Sequence, residues 1–196
     1  MRRWVVTGPA GGGKSTFCSL LAERGAVILD GDRLGHEVLG QEDVISAIAA
    51  EFGSGVMRAG TVDRAALGSL VFAEASALQR LNRITHRPLA ALMGHRLDDL
   101  ENERRHRLAV LEAAVYFLLP PVPGIEMVIT VTAPKALRFA RLTGPGGLGE
   151  TEAWRRIEAQ AFMAEGWNSA DIVLGNEGTL ADLETAAQAL WSRLGD

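Results

Sequence analysis

Lys14, Ser15 and Thr16 follow three consecutive glycines, Gly11-Gly12-Gly13. An ammonium group and two hydroxyls at the end of a loop without side chains are the groups that hold a phosphate chain. The stretch Gly8-Pro9-Ala10-Gly11-Gly12-Gly13-Lys14-Ser15 fits G-x-x-x-x-G-K-[ST], a spacing that turns backbone amides inward around phosphate oxygens. The glycines permit backbone angles closed to other residues and a close approach to an anion. A helix opening near Lys14 adds the positive end of its dipole at the same place. Lys14 is then placed to reach the β and γ phosphates, and Ser15 to hold magnesium. The expected ligand is a nucleoside triphosphate.

Carboxylates follow at matching places. Asp30-Gly31-Asp32 closes the apolar run Ala26-Val27-Ile28-Leu29, and His36 lies one helical turn beyond Asp32. Open α/β sheets bind ligands at the carboxyl ends of their strands, so Asp30, Asp32 and His36 are candidates to face one cleft. Asp32 is also expected to cap the helix over 33–39, a role compatible with catalysis. Glu112 ends a second apolar run, Leu108 to Leu111, where a carboxylate serves magnesium, substrate or simply the strand end.

These groups need a scaffold, and the pattern supplies one. Trp4-Val5-Val6 enters the loop, Ser15 to Glu23 reads as a helix, and Gly25 ends it. Strand, helix, strand is the unit that a phosphate loop requires. The continuous apolar run at 26–29 reads as a strand buried on both faces of a parallel sheet, and 108–111, 127–131 and 171–174 read as the third, fourth and fifth strands. Between the second and third strands the sequence is helical from about 42 to 100. Val44, Ile45, Ile48, Ala49 and Phe52 form one stripe, and Leu67, Leu70, Val71 and Phe72 another. Thr61-Val62-Asp63 is expected to open the latter helix. Pro88 is expected to kink the next helix or to restart it. His86 lies on that helix, where a histidine is more often structural. Helices are expected at 135–142, then from Glu150 or Thr151 to Glu165, and at 180–194. The first two flank Thr143-Gly144-Pro145-Gly146-Gly147-Leu148-Gly149, which reads either as a mobile lid or as a plain surface loop.

Composition narrows the partners. A net charge of -4 provides no basic footprint, so nucleic acid is not an expected partner. Cys18 is the single cysteine, which rules out an internal disulfide and reads as a packed core thiol. No apolar run has the length of a membrane span and no signal peptide is evident, so a cytoplasmic protein is expected, a monomer or weak homo-oligomer.

Several segments together resemble the dephospho-CoA kinase family. They are Gly11 to Thr16, Gly25 to Asp32, Phe52-Gly53, Asp63-Arg64-Ala65-Ala66-Leu67, Val71-Phe72, Leu81 to His86, Ala159-Gln160, Ala170 to Val173 and Asn176-Glu177-Gly178. Their order and spacing carry the resemblance. It implies an α/β fold of three layers, a P-loop NTPase fold with a five-stranded parallel sheet. A single kinase domain is expected, with its core at about 1–40, 106–140 and 168–196. A helical acceptor-binding insertion is expected at about 41–105 and a small lid at about 141–160. It also implies transfer of the γ-phosphate of ATP, with magnesium, to the ribose 3′-hydroxyl of dephospho-CoA, the last step of coenzyme A synthesis. Asp32 and Lys14 would then be catalytic. Gly11, Gly12, Gly13, Lys14, Ser15, Thr16, Asn176 and Gly178 would bind ATP. Asp30, His36, His86, Glu112 and Gln160 would face the acceptor.

The chain departs from the family on the acceptor and lid side. Arg87 replaces a proline, Leu118 stands where a glutamate is expected, and Gly144-Pro145-Gly146-Gly147 lacks the lid arginine. Arg138, Arg141 or Arg155 is then the candidate cation over the phosphates. Two further readings follow from these departures: a kinase of this fold with another acceptor, such as a nucleoside monophosphate, and a nucleotide-binding relative without catalysis.

Overall fold

The computed structural model describes residues 1–194, apart from the side chains of Phe72 and Ala75. The expected burial of Phe72 and the final two residues of the expected core lie outside the described residues. The chain forms two compact units, one of residues 1–30, 96–117 and 123–196, the other of residues 31–95 and 118–122.

The first unit is built on a parallel sheet of five strands: β1 (Arg2–Thr7), β2 (Val27–Asp30), β5 (Leu108–Glu112), β6 (Met127–Thr132) and β7 (Ile172–Gly175). Their order across the sheet is β2-β5-β1-β6-β7, so the expected strands all form and β1 is central. Alternation along the strands divides their side chains between two faces. Trp4, Val6, Val110, Ile129 and Val131 pack against Phe17, Leu20 and Leu21 of α1 (Lys14–Ala22). Leu183, Ala187 and Leu190 of α9 (Leu180–Ser192) complete that core. A fully buried side chain such as Phe17 or Leu21 contributes on the order of 1.5–3 kcal/mol through removal from water. The opposite face meets other helices. Arg3 pairs with Asp98 at 2.8 Å and with Glu101, both at the end of α5 (Ala75–Glu103), and Thr130 Oγ1 donates to the Trp167 carbonyl of α8 (Ala164–Asn168) at 2.8 Å. Helix, sheet, helix is the expected three-layer arrangement. Cys18 is buried in the first face, and burial, with Glu112 nearby, pushes its thiol far above the ordinary range.

In the same unit, α6 (Lys135–Leu142) and α7 (Glu150–Ala159) form a hairpin. The ring of Phe139 stacks on Trp154 at 4.6 Å. The glycine-rich connection is a compact turn, with Leu148 N donating to Leu142 O at 2.7 Å and Gly147 N to Gly144 O at 2.8 Å. The helix expected to run to Glu165 stops at Ala159. A 3-10 turn at Ala161–Met163 follows, and α8 then continues. The break falls at Gln160, whose side chain accepts from the Ala10 amide of the phosphate loop.

The second unit holds α2 (Gly31–Val38), α3 (Glu42–Phe52), the hairpin β3 (Met57–Arg58) and β4 (Thr61–Val62), α4 (Arg64–Ala73) and most of α5. It overlaps the expected insertion at 41–105 but begins earlier, at Gly31. Three details differ from expectation. Helix α2 starts at Gly31, directly after β2, so Asp32 lies inside its first turn and is not a cap. Thr61-Val62 is a strand, because Ala59 (φ 49) and Gly60 (φ 80) supply the two left-handed residues of a tight hairpin turn. Asp63 is the cap of α4, accepting from the amides of Ala65 and Ala66, each at 3.0 Å. Pro88 does not restart the helix, since α5 is one helix through it. Across the second unit Arg80 reaches Glu51 at 2.9 Å and lies 5.6 Å over the Phe52 ring. Among the described residues, no helix is long and apolar enough to cross a membrane.

Candidate active site

The phosphate loop, residues 8–15, leaves the carboxyl end of the central strand, between its neighbours β5 and β6. That is the crevice where the order of connections reverses and where α/β sheets bind ligands. Its backbone demands glycine. Gly8 has φ 132 and a Cβ there would lie 2.2 Å from the Val131 carbonyl oxygen; Gly13 has φ 107 and a Cβ there would meet Asn176 Nδ2 at 2.1 Å. Gly13 is also the N-cap of α1, and no side chain caps that helix. The first-turn amides of Lys14, Ser15 and Thr16 therefore form the open, positive end of a helix.

Three side chains hold the loop from outside, and Lys14 folds back on it from within. Asn176, buried, donates from Nδ2 to the Gly12 carbonyl at 2.9 Å. Arg141 donates from Nη1 to the carbonyls of Gly11 at 3.3 Å and Gly12 at 3.4 Å, and from Nη2 to the Asn176 carbonyl at 2.8 Å. Gln160 Oε1 accepts from the Ala10 amide at 2.8 Å. Lys14 Nζ donates to the Pro9 carbonyl at 3.2 Å, folded across the loop. Loop carbonyls are thus occupied by positioning residues, which leaves amides to face an anion. Gly178 stands by the cap of α9, where Thr179 and Asp182 bond each other reciprocally.

Carboxylates line the same edge of the sheet. Asp30 and Glu112 are register partners on adjacent strands, with Cα atoms about 4.8 Å apart by strand spacing. Ser15 Oγ donates to Glu112 Oε1 at 2.7 Å. A hydroxyl and a carboxylate oxygen so close are hard donors of the kind magnesium takes.

Arg138 differs from Arg141. It is 7% exposed, its Cα and Cβ abut Gly11, and its Nε and Nη1 have no hydrogen-bond partner among the described residues. Burial lowers its pKa from the ordinary value, with Glu158 opposing that shift. A buried guanidinium with orphaned donors is costly and calls for an anion.

The remaining candidates belong to the second unit: Asp32 and His36 on α2, and His86 on α5. His86 Nδ1 lies 2.9 Å from the Leu118 carbonyl, which can only accept, so Nδ1 carries the proton. Burial lowers the His86 pKa, partly offset by that bond. The second unit also has an open cavity of about 780 Å³, lined by His36, Arg58, Thr61, Asp63 and Arg64. Arg58 escaped the sequence reading, because it lies on a two-residue strand that no periodicity marks. Arg64 entered it only within a family segment. The loop-holding role of Arg141 also went unread, since its partners are backbone carbonyls, which leave no trace in a residue pattern.

Comparison with known proteins gives a consistent answer. A family model described as dephospho-CoA kinase matches residues 4–182. A dephospho-CoA kinase of Latilactobacillus sakei is 34% identical over 182 residues, covering 91% of this chain and 89% of that protein. The crystal structure of TT1252 from Thermus thermophilus superposes with a TM-score of 0.75 at 31% identity, over 100% of this chain and 98% of that one. A dephospho-CoA kinase from Campylobacter jejuni has the same fold, with a TM-score of 0.60 at 22% identity, covering 98% and 97%. The chain belongs to the dephospho-CoA kinase family.

Proposed function

We propose that the protein transfers the γ-phosphoryl group of ATP to the ribose 3′-hydroxyl of dephospho-CoA, giving coenzyme A and ADP. The observation that carries this reading is the loop of Lys14 and Ser15 set beside Asp30 and Glu112 at one strand edge, in a chain of this family. Asp32 takes the hydroxyl proton as the 3′-oxygen bonds to phosphorus, and the bond to the β–γ bridging oxygen breaks. A loose transition state needs positioning and charge neutralisation more than base strength. Lys14 exchanges the Pro9 carbonyl for the β and γ phosphates. The amides of residues 13–16 bind the phosphate oxygens, and Asn176, Arg141 and Gln160 keep the loop in shape. Gly178 stays near ATP at the turn before α9.

The donor set of Ser15 and Glu112 fits magnesium. When bound, that ion neutralises charge between the β and γ phosphates. Asp30, His36, His86 and Glu112 serve the acceptor side, the 41–105 segment is the acceptor-binding part, and the 141–160 hairpin is the lid. Arg138 is the best-supported replacement for the missing lid arginine, because its donors are already stripped of water and partners. The reading includes a cytoplasmic location and a monomer or weak homo-oligomer, which gel filtration checks.

Purified protein with ATP, magnesium and dephospho-CoA should release ADP and form coenzyme A. In Asp32→Asn the turnover should fall by about 10²–10⁴-fold, the range for a general base, while ATP binding is retained. Turnover equal to the protein-free control would refute the assignment.

A further inference from the structure

The cavity of the second unit is unusual in the charge of its rim. Arg58, from the β3–β4 hairpin, and Arg64, from the first turn of α4, are both exposed, and His36 joins them from α2. Neither guanidinium has an ion-pair partner among the described residues. The acid on the rim, Asp63, is turned to the amides of Ala65 and Ala66 as the cap of α4. Two guanidinium forks and an imidazole around an open cavity are a receptor for a doubly charged oxyanion, since guanidinium presents paired N–H groups to phosphate.

The location of this rim specifies which anion. His36 follows Asp32 by four residues on α2, so the two share one face with Cβ atoms about 5–6 Å apart. Asp32 is the residue assigned to the acceptor hydroxyl. In dephospho-CoA the 5′-diphosphate is one ribose ring away from the reacting 3′-hydroxyl, a separation of the same order as one helical turn. The triphosphate of ATP is served by a different unit, through the loop of residues 8–15.

We propose that His36, Arg58 and Arg64 form the subsite for the acceptor's diphosphate, which makes them specificity residues for a diphosphate-bearing acceptor over a neutral nucleoside. The proposal rests on the dephospho-CoA reading given above. The hairpin turn at Ala59 and Gly60, with two left-handed residues, fixes the strand that carries Arg58. Asp63, by capping α4, fixes the start of the helix that carries Arg64.

The test is steady-state kinetics and calorimetric binding with Arg58→Ala, Arg64→Ala and the double variant, using dephospho-CoA and ATP separately, with adenosine as the uncharged acceptor. Loss of one charge-assisted contact should raise KM and Kd for dephospho-CoA roughly tenfold or more per arginine. The KM and Kd for ATP should stay within twofold, and any turnover of adenosine should be unchanged, so that the preference for dephospho-CoA collapses in the double variant. Arg58→Lys should recover part of the affinity. A KM for dephospho-CoA within twofold of wild type in the double variant, or a rise in KM for ATP of equal size, would overturn the subsite. If wild-type protein neither binds nor phosphorylates dephospho-CoA, the functional reading fails first, and the subsite with it.

Discussion

Arg138 sets a problem in electrostatics. Burying an uncompensated cation costs several kcal/mol, and two of its donors have no partner. Such a cost is tolerable where an anion arrives as part of function. Arg138→Met keeps most of the volume and removes the charge. The expected outcome is a ligand-free protein that melts higher, by about 2–4 °C for each kcal/mol recovered. Transfer in single-turnover experiments should fall by about three powers of ten, as when an arginine is taken from a transferring phosphoryl group. A rate within twofold of wild type would show that Arg138 has no part in transfer. Arg141, three residues on, makes the opposite case: its guanidinium is spent on three carbonyls, so its loss should loosen the loop and weaken ATP binding.

At the scale of elements, His86 couples α5 to residues 118–122. The bond from Nδ1 to Leu118 O needs only the neutral ring, and burial keeps the folded-state pKa below the ordinary 6.5. The unfolded state therefore binds more protons below that value, and stability should fall as pH drops from about 6.5 toward the folded pKa, then level off. Denaturant melts across pH 7 to 5 check this. His86→Asn, which places an amide donor near Nδ1, should flatten the dependence. Leu118 stands where the family pattern expects a glutamate, and it meets His86 through its backbone carbonyl. This kind of substitution marks the limit of what the sequence made legible. Five short, mostly apolar segments announced five strands, but the expected burial on both faces fails for β2, which lies at an edge of the sheet and is only half-buried, as is β7 at the other edge. The loop announced itself because phosphate demands glycines, a lysine and a hydroxyl in fixed spacing. The hairpin at 57–62 gave no such signal, for two residues per strand are too few for a period. The bond from the Ala10 amide to Gln160, remote in sequence, was also hidden. Contacts to distant backbone shaped the site wherever pattern reading stopped short.

At the scale of the molecule, nucleotide binding should appear as stability. A ligand present at a hundred times its Kd adds about 2.7 kcal/mol. For a chain of this length that corresponds to a rise of roughly 5–11 °C in Tm. ATP with magnesium should produce it in wild-type protein, and Lys14→Ala should lose most of it, as read by differential scanning fluorimetry. The central place of β1 has a consequence for how the protein is made. This strand is synthesised before the other four of the sheet, yet its two partners begin at Leu108 and Met127. At a synthesis rate of about 5–20 residues per second, Trp4, Val5 and Val6 wait on the order of 5–20 seconds for a neighbour. During that interval an apolar edge has nothing to pair with, whereas the helices of residues 31–95 make mostly local contacts and can form as they appear. Chains halted before Leu108 should therefore be aggregation-prone clients of nascent-chain chaperones, and the sheet should close only once β7, Ile172–Gly175, has been made.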